Sequence, residues 1–284
     1  MTRDATPQAC ILCGEANHRA VFRYDGPDVY ERTAGVEETG YLREWVACAA
    51  CRFHYSRHAR DPDILDRLYD DAYRTTGAAW RGQSAEEIFQ RVLKLPAAES
   101  ETVSRCAFIK TALRRLDEDG LHALREGRPL RLLDVGGATG VFAHMFQDDD
   151  WRAEIVDPGR QGRFIEAFGI AYHQQRFDAG FGGGPYQLVS MIYMLEHVHD
   201  PFATIAQAKR VLAGDGLLYI EVPDAIAFEK KPAEDDIFNS CHLWMFDPAS
   251  LTRLLSSCGF EPLDLCRIRT QRGHFALTVL ARAL

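Results

Sequence analysis

The 284-residue sequence has no apolar run approaching the roughly 20 residues that a membrane helix needs. Its opening stretch, MTRDATPQAC, has no apolar core of the kind a secretory signal carries. These two absences predict a cytoplasmic protein without a membrane partner. Positive charge is also short: 33 Lys+Arg stand against 41 Asp+Glu, a net charge of −8, and no run of like charge forms a polybasic arm. Proteins that grip a phosphate backbone usually present a basic face, so this balance argues against nucleic acid as a partner. Internal repeats and low-complexity segments are missing as well. What is present is an ordinary globular composition, 46% hydrophobic and 26% charged, long enough for one large α/β domain and a smaller attachment.

The eight cysteines are not scattered evenly. Four form two C-x-x-C pairs, Cys10-Ile-Leu-Cys13 and Cys48-Ala-Ala-Cys51. Reduced thiols are the default in a cytosolic chain, so a metal reading precedes a disulfide reading. Four thiolates close a tetrahedral shell around zinc and leave no open position, which predicts a structural ion. Gly14 suits the tight turn of such a knuckle. The long stretch between the pairs predicts a hairpin or excursion.

Helical spacing is expected over 62–75, where Ile64, Leu65, Leu68 and Tyr69 share a face, and over 84–95, opened by a Ser84/Glu87 capping box. A longer helix is expected over 98–118, with Val103, Ala107, Ile109, Leu113 and Leu116 inward. From residue 130 onward, short apolar runs alternate with helical segments, the pattern of a parallel sheet. Strands are expected at 130–135, 153–156, 170–172, 187–191 and 216–222, with a final pair at 261–269 and 273–282. Helices are expected at 140–147, 160–168, 201–212 and 248–258. The organisation predicted is a zinc-binding module over 1–60, a helical cap over 61–125 and an α/β domain over 126–284.

The segment RLLDVGGATG, residues 131–140, places an acid at the end of a strand and glycines before a helix. A dinucleotide fingerprint would want glycine at 135, where valine stands. The pattern D-x-G-x-G-x-G fits Asp134, Gly136 and Gly140, with Ala138 in the middle glycine position. This resembles motif I of the class I S-adenosylmethionine (SAM)-dependent methyltransferases. Further segments follow in order: EIVDP with Asp157, RFDAG with Phe177 and Asp178, LVSMIYMLEHVHDP and GDGLLYIEVPD. The resemblance implies a Rossmann-like seven-stranded sheet with helices on both faces and the last strand antiparallel. It implies SAM as cofactor, held by Asp134, Gly136, Gly137, Gly140, Asp157, Phe177 and Tyr193.

The two cysteine pairs, a tyrosine-containing helix and this fold together look like the zinc-containing methyltransferases that act on sugar nucleotides and natural products. Tyr73-Arg74-Thr75-Thr76 is similar to that family's Tyr-Arg-Ser-Ser, which borders the acceptor. In the sugar C-methyltransferases a Tyr-His-Glu-His-Phe segment corresponds to FNSCHLWMF here. The resemblance puts His242 on the family's proposed base and Cys241 where the family has glutamate. His242, Tyr73 and His197 are the catalytic candidates. A helix cap competes for His242, a cofactor-shaping role for Glu196-His197, and ordinary packing for Tyr73. Arg105 reads as a surface residue or a contact to an acceptor anion.

The expected activity is methyl transfer to a small-molecule acceptor, a nucleotide-linked sugar or natural-product intermediate, on O, N or C. An RNA base methyltransferase with a zinc knuckle and a non-catalytic scaffold are the rivals. Oligomeric state is not set by the sequence.

Overall fold

The computed structural model describes residues 9–59, 83–125 and 127–284. The helix expected over 62–75, with Tyr69, Tyr73 and Arg74, lies outside the described residues.

The N-terminal part is built on three antiparallel strands, β1 (His18–Tyr24), β2 (Arg43–Cys48) and β3 (His54–His58), with a one-turn-and-a-half helix α1 (Val29–Ala34) between the first two. Every residue of β2, Arg-Glu-Trp-Val-Ala-Cys, is buried. Both its charges are paired: Glu44 lies opposite both Arg23 and Arg57, at 3.3 Å and 2.6 Å, and Arg43 meets Glu31 and Asp28 at the start of the helix, at 3.6 Å and 3.7 Å. Buried charge persists only when paired in this way. Asp28 caps α1 in a capping box with Glu31, and Gly35 ends the helix in the left-handed conformation.

Two helices follow, α2 (Ala85–Leu93), opened by the expected Ser84/Glu87 box, and α3 (Glu101–Glu118). The buried face of α3 is Thr102, Cys106, Ile109 and Leu113, whereas Ala107, expected inward, is exposed. Arg105 turns inward too. It is not a surface residue: its guanidinium makes a two-pronged ion pair to Glu221, both contacts 2.6 Å, and both side chains are buried.

The large sheet contains β4 (Leu130–Val135), β5 (Trp151–Asp157), β6 (Ala171–Gln174), β7 (Tyr186–Ile192) and β8 (Leu212–Pro223). A two-residue strand β9 (Trp244–Met245) belongs elsewhere, and the chain closes with β10 (Phe260–Arg269) and β11 (Phe275–Ala283). The order is β10-β11-β8-β7-β4-β5-β6, seven strands with β11 antiparallel to its neighbours. This is the sheet the resemblance implies. Leu133 and Val135 face one core and Leu130 and Leu132 the other, so β4 is apolar throughout because both its faces are covered.

Helices α4 (Val141–Phe146), α5 (Pro201–Val211), the short α6 (Ala227–Lys230) and α7 (Pro248–Ser257) complete the layers. Asp200 and Asp247 cap α5 and α7, each followed by proline in the first turn. The helix expected over 160–168 is a tighter 3₁₀ turn, Arg163–Phe168. Its start is compressed at Gly162, where a Cβ would lie 2.2 Å from the Ala138 carbonyl oxygen.

The two sheets are joined by β9. It leaves the α/β layers and pairs with β3, making the N-terminal sheet four-stranded in the order β1-β2-β3-β9. Trp244 and Phe246 are buried in the same core as Phe53 and Tyr55. The segment just before β9 carries His242.

Candidate functional site

A cavity of about 890 Å³ opens at the carboxyl ends of β4, β5 and β7, large enough for a cofactor and a second small molecule. Its two ends are built differently.

One end is mostly backbone. Gly136 adopts φ +69°, and a Cβ there would lie 2.9 Å from Met194 Cγ, so glycine is required on both counts. Ala138, where the resembled motif has glycine, is also left-handed, at φ +54°. Its N–H donates to Asp157 Oδ2 at 3.1 Å, and the Gly159 N–H donates to Asp157 Oδ1 at 2.8 Å. The Asp157 carboxylate is thus fixed at the end of β5 on the cavity wall, which Phe177 and Tyr193 also line. Tyr193 is itself left-handed (φ +51°), and its buried hydroxyl has no hydrogen-bond partner among the described residues.

Asp134, Gly137 and Gly140 lie behind this wall rather than on it. Asp134 is buried and accepts a 2.7 Å hydrogen bond from Ser190 Oγ, and burial pushes its carboxyl up to about 7. A Cβ on Gly137 would meet Asp134 Oδ2 at 2.6 Å, and one on Gly140 would meet Ile165 Cγ1 at 2.7 Å. These three therefore pack the turn tightly against the sheet.

The other end is made of side chains from separate parts of the chain. Glu196 and His197 sit on the 3₁₀ turn Leu195–His197 after β7, and His242 comes from the loop before β9. Two hydrogen bonds fasten the two segments: the Leu243 backbone N–H donates to the Glu196 carbonyl (2.8 Å), and the Trp244 indole Nε1 donates to the Val198 carbonyl (2.6 Å). The N-terminal module holds the same loop. Asp28 accepts from Ser240 N–H at 2.6 Å and Ser240 Oγ at 2.8 Å, and Ser56 N–H donates to the Leu243 carbonyl at 2.9 Å.

The rings of His197 and His242 are 4.7 Å apart, edge to face. His242 Nδ1 donates to the Ile237 carbonyl (2.7 Å) and His197 Nδ1 to the Cys241 carbonyl (3.0 Å). A carbonyl only accepts, so in each neutral ring the proton is on Nδ1 and Nε2 carries the lone pair. Burial lowers His242 to about 4, and burial with the neighbouring His242 lowers His197 to about 3, so both are neutral at pH 7. Glu196 is fully buried, and burial pushes its carboxyl up to about 8. Cys241, at the position of the family's glutamate, gives its carbonyl to His197 Nδ1. Glu196 brings a carboxyl group to the same place from a distant segment, which no motif spacing along the chain reveals.

The four paired cysteines converge. Cys10 Sγ lies 3.5 Å from Cys51 Sγ, and Cys13 Sγ lies 3.5 Å from Cys48 Sγ. All four sulfurs are within 4.8 Å of one another. Tetrahedral zinc–thiolate bonds of about 2.3 Å would set sulfurs ~3.8 Å apart, so the set fits that ion. The second knuckle turns at Arg52 (φ +64°), where the first has Gly14 (φ +75°). Burial opposes ionisation of Cys48, but backbone N–H groups of Cys51 and Ala50 and the neighbouring thiols hold it down at about 7.

A doubly wound seven-stranded sheet ending in an antiparallel strand, with a glycine turn and an acid at the end of the next strand on one cavity, defines the class I SAM-dependent methyltransferases. A family model described as "Methyltransferase domain" matches residues 105–265, and the chain belongs to that family. Among curated proteins, it is 23% identical over 268 residues to the C-methyltransferase NovU of Streptomyces niveus, covering 90% of this chain and 56% of that one. The chain thus spans about half the length of this relative. A probable S-adenosylmethionine-dependent methyltransferase of Mycobacterium tuberculosis is 33% identical over 73 residues, 26% of each chain. Among solved structures, magnesium protoporphyrin IX methyltransferase from Synechocystis PCC 6803, with bound S-adenosylhomocysteine (SAH), shares the fold. Its TM-score is 0.53 at 15% identity, covering 79% of this chain and all of that one. Among the described residues no helix is long and apolar enough to cross a membrane.

Proposed function

We propose that the protein transfers the SAM methyl group to a small-molecule acceptor, a nucleotide-linked sugar or a natural-product intermediate. The observation that carries this reading is the single cavity that has Gly136, Ala138 and Asp157 at one end and Glu196, His197 and His242 at the other. SAM brings an activated methyl, so the chain has to align a nucleophile and take up its proton. Asp157, held by two backbone N–H groups, is the residue for the ribose hydroxyls, and Phe177 and Tyr193 flank the adenosine. Gly136 lets the backbone approach the cofactor; Asp134, Gly137 and Gly140 keep the turn compact from behind. His242 Nε2 is the candidate base, with His197 beside it, and Tyr73 is the further candidate for placing the acceptor. The relation to a C-methyltransferase supports the acceptor class. Cys10, Cys13, Cys48 and Cys51 are assigned to one structural zinc, whose role is to hold the loop that carries His242.

The test is SAH binding by calorimetry on zinc-loaded protein. Binding in the micromolar range, about −8 kcal/mol, is expected. Asp157→Ala should weaken it about 100-fold, because two ribose hydrogen bonds to a charged group are lost. Folded, zinc-loaded protein that binds no SAH would leave the non-catalytic scaffold as the better reading.

A further inference from the structure

We infer that Glu196, His197 and His242 form a second metal site, one that takes a divalent transition ion such as zinc and presents it to the acceptor end of the cavity. The ligand atoms of the three residues lie within 4.8 Å of one another, and His197 Nε2 is 3.8 Å from Glu196 Oε1. Both imidazoles have their Nδ1 protons committed to backbone carbonyls, at 2.7 Å and 3.0 Å. This is the arrangement in which a metal-binding histidine is usually held, the outer nitrogen anchored and Nε2 turned to the ion.

Glu196 supplies the independent observation. It is fully buried, and neither carboxylate oxygen has a hydrogen-bond partner among the described residues. A buried carboxylate without a donor is costly, and a second set of lone pairs beside it raises the cost. A cation among the three groups removes it. Two imidazole nitrogens and a carboxylate oxygen suit zinc and its first-row neighbours rather than magnesium or calcium. Bonds of about 2.0–2.2 Å would draw the ligand atoms to ~3–3.5 Å separations, which rotation of the Glu196 side chain supplies.

Three protein ligands leave a fourth position open, the mark of a reactive rather than a structural zinc. All three residues line the cavity, so that position faces the acceptor. The site therefore selects an acceptor with a hydroxyl that can bind the metal. This inference rests on the methyltransferase reading only for that role; the metal site itself does not. It also divides the two functions proposed for His242, since Nε2 cannot be base and ligand at once.

The experiment is a metal count with cobalt spectroscopy on the whole chain. Protein grown with added zinc and gel-filtered should carry two zinc ions per chain by mass spectrometry. Cobalt(II) added to metal-stripped protein should fill the thiolate site with intense sulfur-to-cobalt charge-transfer bands. A further equivalent should add only weak d–d bands. Glu196→Gln and His242→Gln should lose the second step, keep the first and keep SAH binding. One zinc in folded, SAH-binding wild-type protein, with no second cobalt step, would overturn the proposal and return a proton to Glu196 and the base role to His242. Two metals without SAH binding would uphold the site and instead break the cofactor assignment.

Discussion

The two ends of the cavity differ in how far the chain must travel to build them. The glycine-turn end is centred on residues 136–138 and on Asp157 at the end of the next strand, joined by backbone hydrogen bonds to that one carboxylate, with Phe177 and Tyr193 lining the wall from two further strand ends. The histidine end needs Asp28, Ser56, Glu196 and His242, brought together by a strand that crosses from one sheet to the other. A locally built site survives damage elsewhere, whereas a site assembled from distant segments depends on everything that fastens them.

The strongest way to break this comparison is to remove the cysteine cluster. Structural zinc contributes on the order of 10 kcal/mol to a small module. Cys48→Ser should cost a large part of that, about 5 kcal/mol of module stability, and release β9 with it. The expected result is rapid proteolytic cutting near residues 236–246 while SAH binding stays within about threefold, followed by gel analysis and calorimetry on the same sample. Loss of SAH binding in parallel would show that the two ends are not separable.

A smaller effect sharpens the cofactor side. Asp134 is raised from 3.8 to about 7 by burial, against the pull of its Ser190 hydrogen bond. The folded chain therefore holds a proton that the unfolded chain gives up. The stability this contributes is whole below about pH 3.8, drains as pH rises and is gone above about 7. Asp134→Asn keeps an acceptor for Ser190 and removes the drain. Urea melts should show the variant about 4 kcal/mol more stable than wild type at pH 8 and nearly equal at pH 4. Equal stabilities at both pH values would mean that the acid is ionised in place.

The same contrast decides what the sequence could tell. Strands β4, β7 and β8 are legible because each carries an apolar run, a local signal; β5 and β6 show only part of one, since Arg152, Glu154, His173 and Gln174 interrupt or end it. Strands β1 to β3 carry no such signal, because Arg23, Glu44 and Arg57 look solvated along the chain and are paired across it. Arg105 misled for the same reason: its partner, Glu221, is on β8. The glycine turn and the cysteine pairs were found by spacing, and the cysteines do converge. Position 241, where the resembled family has glutamate, holds a cysteine, and the carboxyl group near His242 is that of Glu196. β9, two residues long, carries no pattern, and only its pairing with β3 shows that it ties the module to the site.

Ala138 is the residue where the cofactor end departs from its own pattern, and it sets the smallest test. A left-handed backbone costs a non-glycine residue roughly 1–2 kcal/mol. Glycine would relieve that, but it also gives the unfolded chain more freedom, worth about 0.4–1 kcal/mol in the opposite direction. Ala138→Gly should therefore stabilise the protein by no more than about 1.6 kcal/mol in a denaturant melt. Its N–H still reaches Asp157 in either residue, so SAH affinity should move less than about threefold. A tenfold gain would mean that the methyl group of Ala138 stands in the cofactor's way, and that the turn is tuned against tight binding. No change in either quantity would mean that the local backbone absorbs φ +54° without strain, because the Asp157 carboxylate pins the turn from outside.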